Sequence, residues 1–395
     1  KTGITDLLAL TKIITPGELN LNIALGNCQR FGIPLWYGGP HPAFFAVSND
    51  LLRLMPGRII AKSKDKCNKE VFRLALQTRE QHIKKQTATS NICTSQSLLT
   101  NVISLYSIYN GPKKLKKISQ DVNNKAKYFI NKLQHTCIAN DTFYDTISIK
   151  VKDTDKLVNQ LKKHDILVRK NKDSCISITF SETIEKKDID KLISLIKKYD
   201  GHIFEERHSY YYYQLPDRLR RKTPYLTSDI FNKYHTETEL VRYMYHLASK
   251  DYTLCNGMIP LGSCTMKLNS VYQLEPLMWD KVADIHPFVP EEYALGYKEL
   301  INDTGDYLKF LTGFKHISFQ PNSGATGEYA GLLCIKKYHQ SKKDDKRNIC
   351  LIPKSAHGTN FASASVANLK VETFCDSLLE NLEEFDSFVE KYKDN

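Results

Sequence analysis

The 395-residue chain has no apolar run approaching membrane-spanning length, no Cys-x-x-Cys pair and no cluster of residues with metal-ligand spacing. The first absence excludes a spanning helix within this sequence, and no membrane partner is expected. The other two exclude a zinc module or dithiol motif, and no metal is expected. The ten cysteines, scattered singly, suit a reducing compartment better than a disulfide scaffold, so a secreted protein is not expected. No recognised nucleic-acid-binding motif accompanies the net charge of +12, which reads instead as solvated surface lysine. The joint abundance of Lys, Asn, Ile and Tyr fits the coding bias of an AT-rich genome. The chain opens on Lys1 rather than Met and in mid-pattern, so Lys1 is not expected to be the true N-terminus, and a missing targeting segment carries no information.

What is present is enough sequence for a large core and for two or three domains. Residues 1 to about 113 are mixed, with strand-like Phe44 to Val47, a long segment after Thr78, and a break at Asn110, Gly111 and Pro112. Residues 114 to 204 read as a compact α+β layer. Ile147 to Val151 alternates as a strand, a short amphipathic helix runs around Leu157 to Leu161, and Ile166 to Phe180 holds further strands. The closing helix puts Ile189, Leu192, Ile193 and Ile196 on one face. A linker-like run, HSYYYYQLPDRLRRK (His208 to Lys222), separates this from a new α/β part that begins at Thr223. Tyrosines beside basic residues could bind a single strand. The run has no repeat and sits between folded segments, which favours a packed connector.

The most informative stretch is QPNSGATGEYAG (Gln320 to Gly331), followed by IPKSAHGTN (Ile352 to Asn360). His316 to Gln320 alternates as a strand would, and Pro321 with Asn322 ends it. Ser323, Gly324, Ala325, Thr326 and Gly327 leave a loop with little side-chain bulk, and helical spacing of Tyr329, Leu332 and Leu333 follows. Unpaired N–H groups and the positive end of the helix dipole suit a phosphate ester there. NICLIP then supplies a second strand, completing a βαβ-like unit that delivers His357. On spacing alone, such a loop is more often plain close packing than a phosphate cradle. His357 taken alone is more often a hydrogen-bonded structural histidine than a cofactor contact.

Eight stretches along nearly the whole chain carry a resemblance: ALGNCQRFGIPLWYGGPHPAFFAV, MPGRII, LALQTREQHIKKQTATSNICTSQ, TPYLTSDIFNKYHTETELVRYM, MIPLGSCTMKLNS, IHPFVP, QPNSGATGEYAG and CLIPKSAHGTN. Through them the chain resembles the P-protein of the glycine cleavage system, a pyridoxal-phosphate-dependent glycine decarboxylase family. The resemblance implies an α/β, fold-type-I, aminotransferase-like architecture built as two tandem halves, of which this chain covers part. Residues 1–113 then correspond to the remainder of the large domain of a non-catalytic first half. Residues 114–204 correspond to its small α+β domain, and 205–395 to a linker and the opening of the catalytic half's large cofactor-binding domain. The lysine that forms the Schiff base lies, in this family, in a later segment, so no catalytic residue is assigned and the chain alone is expected to be inactive. Gln29 stands where the first half would need a lysine, and a glutamine cannot form an imine.

By the same resemblance, Ser323, Gly324, Ala325 and Thr326 hold the phosphate of pyridoxal 5′-phosphate, His357 stacks on its ring, and Thr359 reaches the ring's polar edge. Thr89, in a Thr-x-Asn sequence, is the candidate phosphate contact from the first half. Ser263, Cys264 and Thr265 line the substrate pocket. Arg79, with His82, is a candidate anion contact there, or else a surface pair with Glu80. Lys354 and Lys267 read as surface or phosphate-edge charges and not as imine formers. Phe361 follows HGTN where the family usually has proline.

The implied reaction is glycine decarboxylation, with the aminomethyl group passed to the lipoyl arm of H-protein. Glycine and lipoylated H-protein are the implied direct partners, with the T- and L-proteins indirect, in a homodimer or paired-half assembly. The implied compartment is the mitochondrial matrix in a eukaryote or the cytoplasm in a bacterium. Two alternatives compete: another fold-type-I enzyme (a cysteine desulfurase or aminotransferase), and a basic nucleic-acid-binding protein centred on Tyr210 to Tyr213.

Overall fold

A computed structural model describes residues 1–88, 96–133, 138–140, 142–172, 174–200, 215–259 and 269–394. Its strands are β1 (Thr2–Ile4), β2 (Ile23–Asn27), β3 (Ala43–Val47), β4 (Ile59–Lys64), β5 (Glu70–Ala75), β6 (Thr146–Lys150), β7 (Arg169–Lys170), β8 (Cys175–Thr179), β9 (Ile349–Pro353) and β10 (Lys370–Phe374). Its helices are α1 (Gln81–Lys84), α2 (Ser97–Leu133), α3 (Thr154–Lys162), α4 (Lys186–Tyr199), α5 (Glu237–Ala248), α6 (Val271–Leu274), α7 (Asp280–Ala283), α8 (Leu295–Thr312), α9 (Gly324–Ser341), α10 (Gly358–Val366) and α11 (Leu382–Glu390). No helix among the described residues is long and apolar enough to cross a membrane. The chain forms two compact units, Lys1–Ala46 with Leu98–Ala294, and Val47–Ser97 with Leu295–Asn395.

In the first unit, alternation builds the best-packed layer. Ile147 and Ile149 of β6 point inward and are fully buried, while Ser148 between them meets Ser177 of β8 across the sheet at 2.6 Å. The antiparallel order is β6-β8-β7, with Ile147 opposite Ile178. Leu157 and Leu161 of α3, Ile189, Leu192, Ile193 and Ile196 of α4, and Phe129 of α2 close the core over it. Asp153 caps α3, accepting from the Lys156 N–H at 2.9 Å. A second sheet, β1-β2-β3, has β1 and β2 parallel.

The break expected at Asn110–Pro112 falls inside α2, where Gly111 (φ 60°, ψ 177°) interrupts the helical run. Proline has no N–H to donate and clashes with the preceding turn, and carbonyls on either side of the kink take side-chain donors from another segment. His235 supplies one, its ring Nδ1–H donating to the Tyr109 carbonyl at 2.8 Å. The Tyr225 hydroxyl supplies another, to the Pro112 carbonyl at 2.9 Å. The TPYLTSDIFNKYHT stretch thus seals the kink. Just before that stretch, in the linker run, Arg221 donates to the Leu10 carbonyl at 2.8 Å and to the Pro224 carbonyl at 3.3 Å. It works as a backbone clamp. Tyr210 to Tyr213 lie outside the described residues.

The second unit holds the β4–β5 hairpin, with Ile59 opposite Ala75, and the parallel pair β9–β10, joined by α10 as crossover. Its core sets Ile352, Phe361 and Ala364 against Leu332, Leu369 and Val371. The strand expected over His316–Gln320 does not form; those residues are irregular, and Phe319 is half exposed. A strand needs a ladder partner for its backbone groups, and among the described residues β9 pairs with β10 alone. Alternation therefore marked a segment able to be a strand without supplying its neighbour.

Candidate functional site

The Ser/Gly/Ala/Thr sequence does start a helix. Ser323 is the N-cap of α9, its hydroxyl accepting from the Thr326 N–H at 3.2 Å and lying 2.8 Å from the Thr326 hydroxyl. No atom lies within 4 Å of a Cβ built on Gly324 or Gly327, so the first turn faces open space. Ala325, between them, is buried and turns the other way.

That buried side meets α10. The Ser363 hydroxyl, wholly buried, donates to the Ala325 carbonyl at 3.5 Å. Farther along both helices, Lys336 of α9 donates to the Ala367 carbonyl at 3.0 Å and the Asn368 carbonyl at 3.3 Å, placing a cation at the negative end of α10. The two ties follow the same order along both helices, so α9 and α10 run in the same sense. Their N-termini, capped by Ser323 and His357, therefore point the same way, and the positive end of such a helix suits an anion.

His357 leaves β9 at its carboxyl end and caps α10. Its Nδ1 accepts from the Thr359 N–H at 3.1 Å, which in the neutral ring puts the proton on Nε2, while the ring itself is exposed. Lys354, exposed, follows β9 directly, its N–H donating to the Phe374 carbonyl at 3.0 Å. Thr359 is buried, and its hydroxyl donates to Gln81 Oε1 at 3.3 Å. Phe361 does not disturb the backbone. α10 runs through it unbroken, and its ring is fully buried in the β9–α10–β10 core with the Lys85 ammonium 4.8 Å from its centroid.

Arg79 is turned into the protein. Only 8% exposed, its guanidinium donates to the Met55 carbonyl and, at 2.5 Å, to the Gly57 carbonyl, with Glu80 3.6 Å away. It holds the loop before β4, so the Arg79–Glu80 pairing weighed from sequence is present, but buried. Gln29 donates to the Ile33 carbonyl at 2.5 Å, bracing its own turn. Thr89, Ser263, Cys264, Thr265 and Lys267 lie outside the described residues.

Three residues were not marked by sequence pattern. Ser363 ties the helices. Gln81 and Glu328 each keep a polar atom out of water without a partner, Nε2 and Oε2 respectively. Orphaned groups of this kind cost about 1–3 kcal/mol apiece and are rare in folded proteins. Here they sit beside the first turns of α10 and α9, where the Gln81 amide N–H suits an acceptor oxygen of a ligand and the Glu328 carboxylate oxygen suits a donor, not a phosphate.

The family model for the glycine cleavage system P-protein matches residues 2–196. The chain is 46% identical over 398 residues to glycine dehydrogenase (decarboxylating) 1, mitochondrial, of Arabidopsis thaliana, an alignment covering 99% of this chain and 38% of that protein. The chain belongs to the glycine cleavage system P-protein family. Glycine dehydrogenase (decarboxylating) of Pelagibacter ubique (strain HTCC1062) is 44% identical over 369 residues, covering 93% of this chain and 39% of that protein. A solved P-protein, glycine decarboxylase in inhibitor-bound form, aligns at TM-score 0.46 and 25% identity over 50% of this chain and 47% of its own. The chain thus spans about two-fifths of the length of these P-protein relatives. With the family comes the fold-type-I class, and the mixed α/β layers described above are of that kind.

Proposed function

We propose that this chain carries part of the pyridoxal-phosphate cradle of a glycine-decarboxylating P-protein. The observation that supports this most is the helix pair α9 and α10, capped by Ser323 and His357 and tied together through Ser363 and Ala325. In this reading the N–H groups of Gly324 and Ala325 at the start of α9 hold the phosphate, those of Thr326 and Gly327 being bonded to Ser323, and the Ser323 and Thr326 hydroxyls fix its orientation. The exposed imidazole of His357, held by the Thr359 N–H, offers a flat face to the heteroaromatic ring. Thr359 lies at its polar edge. Bound pyridoxal phosphate supplies the electron sink for the bond that releases CO2 from glycine. The chain's own residues bind and orient; none of them is assigned a proton-transfer or imine-forming role, and Lys354 is a surface charge.

Lipoylated H-protein is the proposed acceptor of the aminomethyl group, with glycine as substrate. A mitochondrial matrix location follows if the source is eukaryotic, as the names of the plant relatives indicate for those proteins, and a cytoplasmic one if bacterial. Direct titration with 4-deoxypyridoxine 5′-phosphate, which has no aldehyde to react with lysines, tests the cradle. Binding should compete with inorganic phosphate and be lost in Ser323→Asp, which sets a negative charge at the α9 cap. Retained affinity in Ser323→Asp would overturn the assignment.

A further inference from the structure

Gln81 precedes Thr359 by 278 residues yet is hydrogen-bonded to it. The segment that carries it, α1 flanked by 3-10 turns at Gln77–Arg79 and Lys85–Thr87, packs on the N-terminal part of α10 within the second unit. The approach is close. A Cβ on Gly358 would meet the Gln81 carbonyl oxygen at 3.2 Å and the Gln81 Cβ at 3.3 Å. Lys85, which ends α1, holds a backbone conformation (φ 47°, ψ −117°) that side-chain-bearing residues rarely adopt, and its ammonium lies over the Phe361 ring. The segment is therefore held in an unusual path directly against the turn that presents His357.

The side chain of Gln81 is committed at one end only. Oε1 accepts from the Thr359 hydroxyl, whose backbone N–H in turn donates to His357 Nδ1. That chain of bonds fixes the amide plane and connects it to the imidazole. Nε2, at the other end, is closed off from solvent and donates to nothing. An amide donor held in this way beside an N-terminal helix turn matches an oxygen acceptor brought by a ligand.

We propose that Gln81 is a ligand-contacting residue of the candidate site. Its carboxamide N–H donates to an oxygen of the bound molecule, and its carbonyl keeps Thr359 and His357 in register. The inference rests on the cradle reading above. The acceptor is an anionic oxygen, either the ring hydroxyl oxygen of the phosphorylated pyridine or the carboxylate of the amino acid.

Titration of the 395-residue chain and of Gln81→Leu tests this, with inorganic phosphate and 4-deoxypyridoxine 5′-phosphate as probes, the latter with and without glycine. Gln81→Leu should weaken the pyridine phosphate about tenfold, the loss of one hydrogen bond to a charged acceptor, and leave phosphate affinity unchanged. A loss seen without glycine assigns the ring oxygen, and one seen only with glycine assigns the carboxylate. Equal affinity under both conditions overturns the role of Gln81 and leaves the cradle standing. Parallel loss of phosphate affinity overturns it in favour of a purely structural residue. Failure of the unmodified chain to bind either probe overturns cradle and inference together.

Discussion

Lys12 shows how one half-buried charge sets a pH dependence. Burial, then the nearby Lys127 and Arg220 charges, push its ammonium down to about 8, although it donates to Asn123 Oδ1 at 3.0 Å. In the unfolded chain the same group titrates near 10.5. Below pH 8 both states are protonated, and the folded state bears the full penalty of a partly desolvated cation. Between about 8 and 10.5 the folded state has released its proton and the unfolded state has not, so unfolding takes one up and stability from this group rises with pH. Urea titrations from pH 7 to 10 should show that rise, and Lys12→Met should flatten it; an unchanged slope in Lys12→Met would exclude this group as the cause. No local pattern singles out Lys12, because the groups that act on it, Asn123, Lys127 and Arg220, lie far along the chain. The same holds for Arg79. Its charge and its pairing with Glu80 were legible, but its burial on the Met55 and Gly57 carbonyls was not.

At the scale of elements, the kink in α2 depends on a residue without a side chain. Gly111 sits at φ 60°, ψ 177°, and a Cβ there would stand 2.5 Å from the Phe231 carbonyl oxygen. Gly111→Ala should cost about 1–3 kcal/mol through backbone strain alone, with the clash adding to it. Chemical denaturation checks this, and a variant as stable as the parent would mean that the Phe231 segment does not pack there. The Asn-Gly-Pro sequence announced the break. It did not announce that Tyr225 and His235 would bond to the carbonyls on either side of it. Periodicity succeeded where one element buries one face, as in β6, α3 and α4, whose apolar positions all turn inward. It failed at His316–Gln320, where a strand needs a partner as well as a pattern.

For the whole molecule, the second unit is assembled from two stretches that the chain keeps far apart, Val47–Ser97 and Leu295–Asn395. Within the first stretch, a lone β4–β5 hairpin is marginal in water at best. Its exposed Ile60 and Phe72 offer little burial of their own. A shortened chain ending at Ala294 should therefore lose protection in Val47–Ser97 while the β6–β8–β7 layer stays folded. Limited proteolysis would show this as early cleavage confined to that stretch, and equal protection in both chains would mean that the hairpin region stands alone. The same assembly brings Gln81 to Thr359.

The sequence by itself determined the family, through motifs spread along nearly the whole chain. It also determined the compact α+β layer, because alternation and helical spacing are local consequences of burying one face. It marked Ser323 to Thr326 and His357, since a helix N-terminus is written in small and capping residues. Tertiary structure alone decided that α9 and α10 run in the same sense, that Phe361 turns into the core, and that Gln81 meets Thr359. Those outcomes depend on packing between segments up to 278 residues apart, and no local free-energy preference encodes which distant surface a residue will meet.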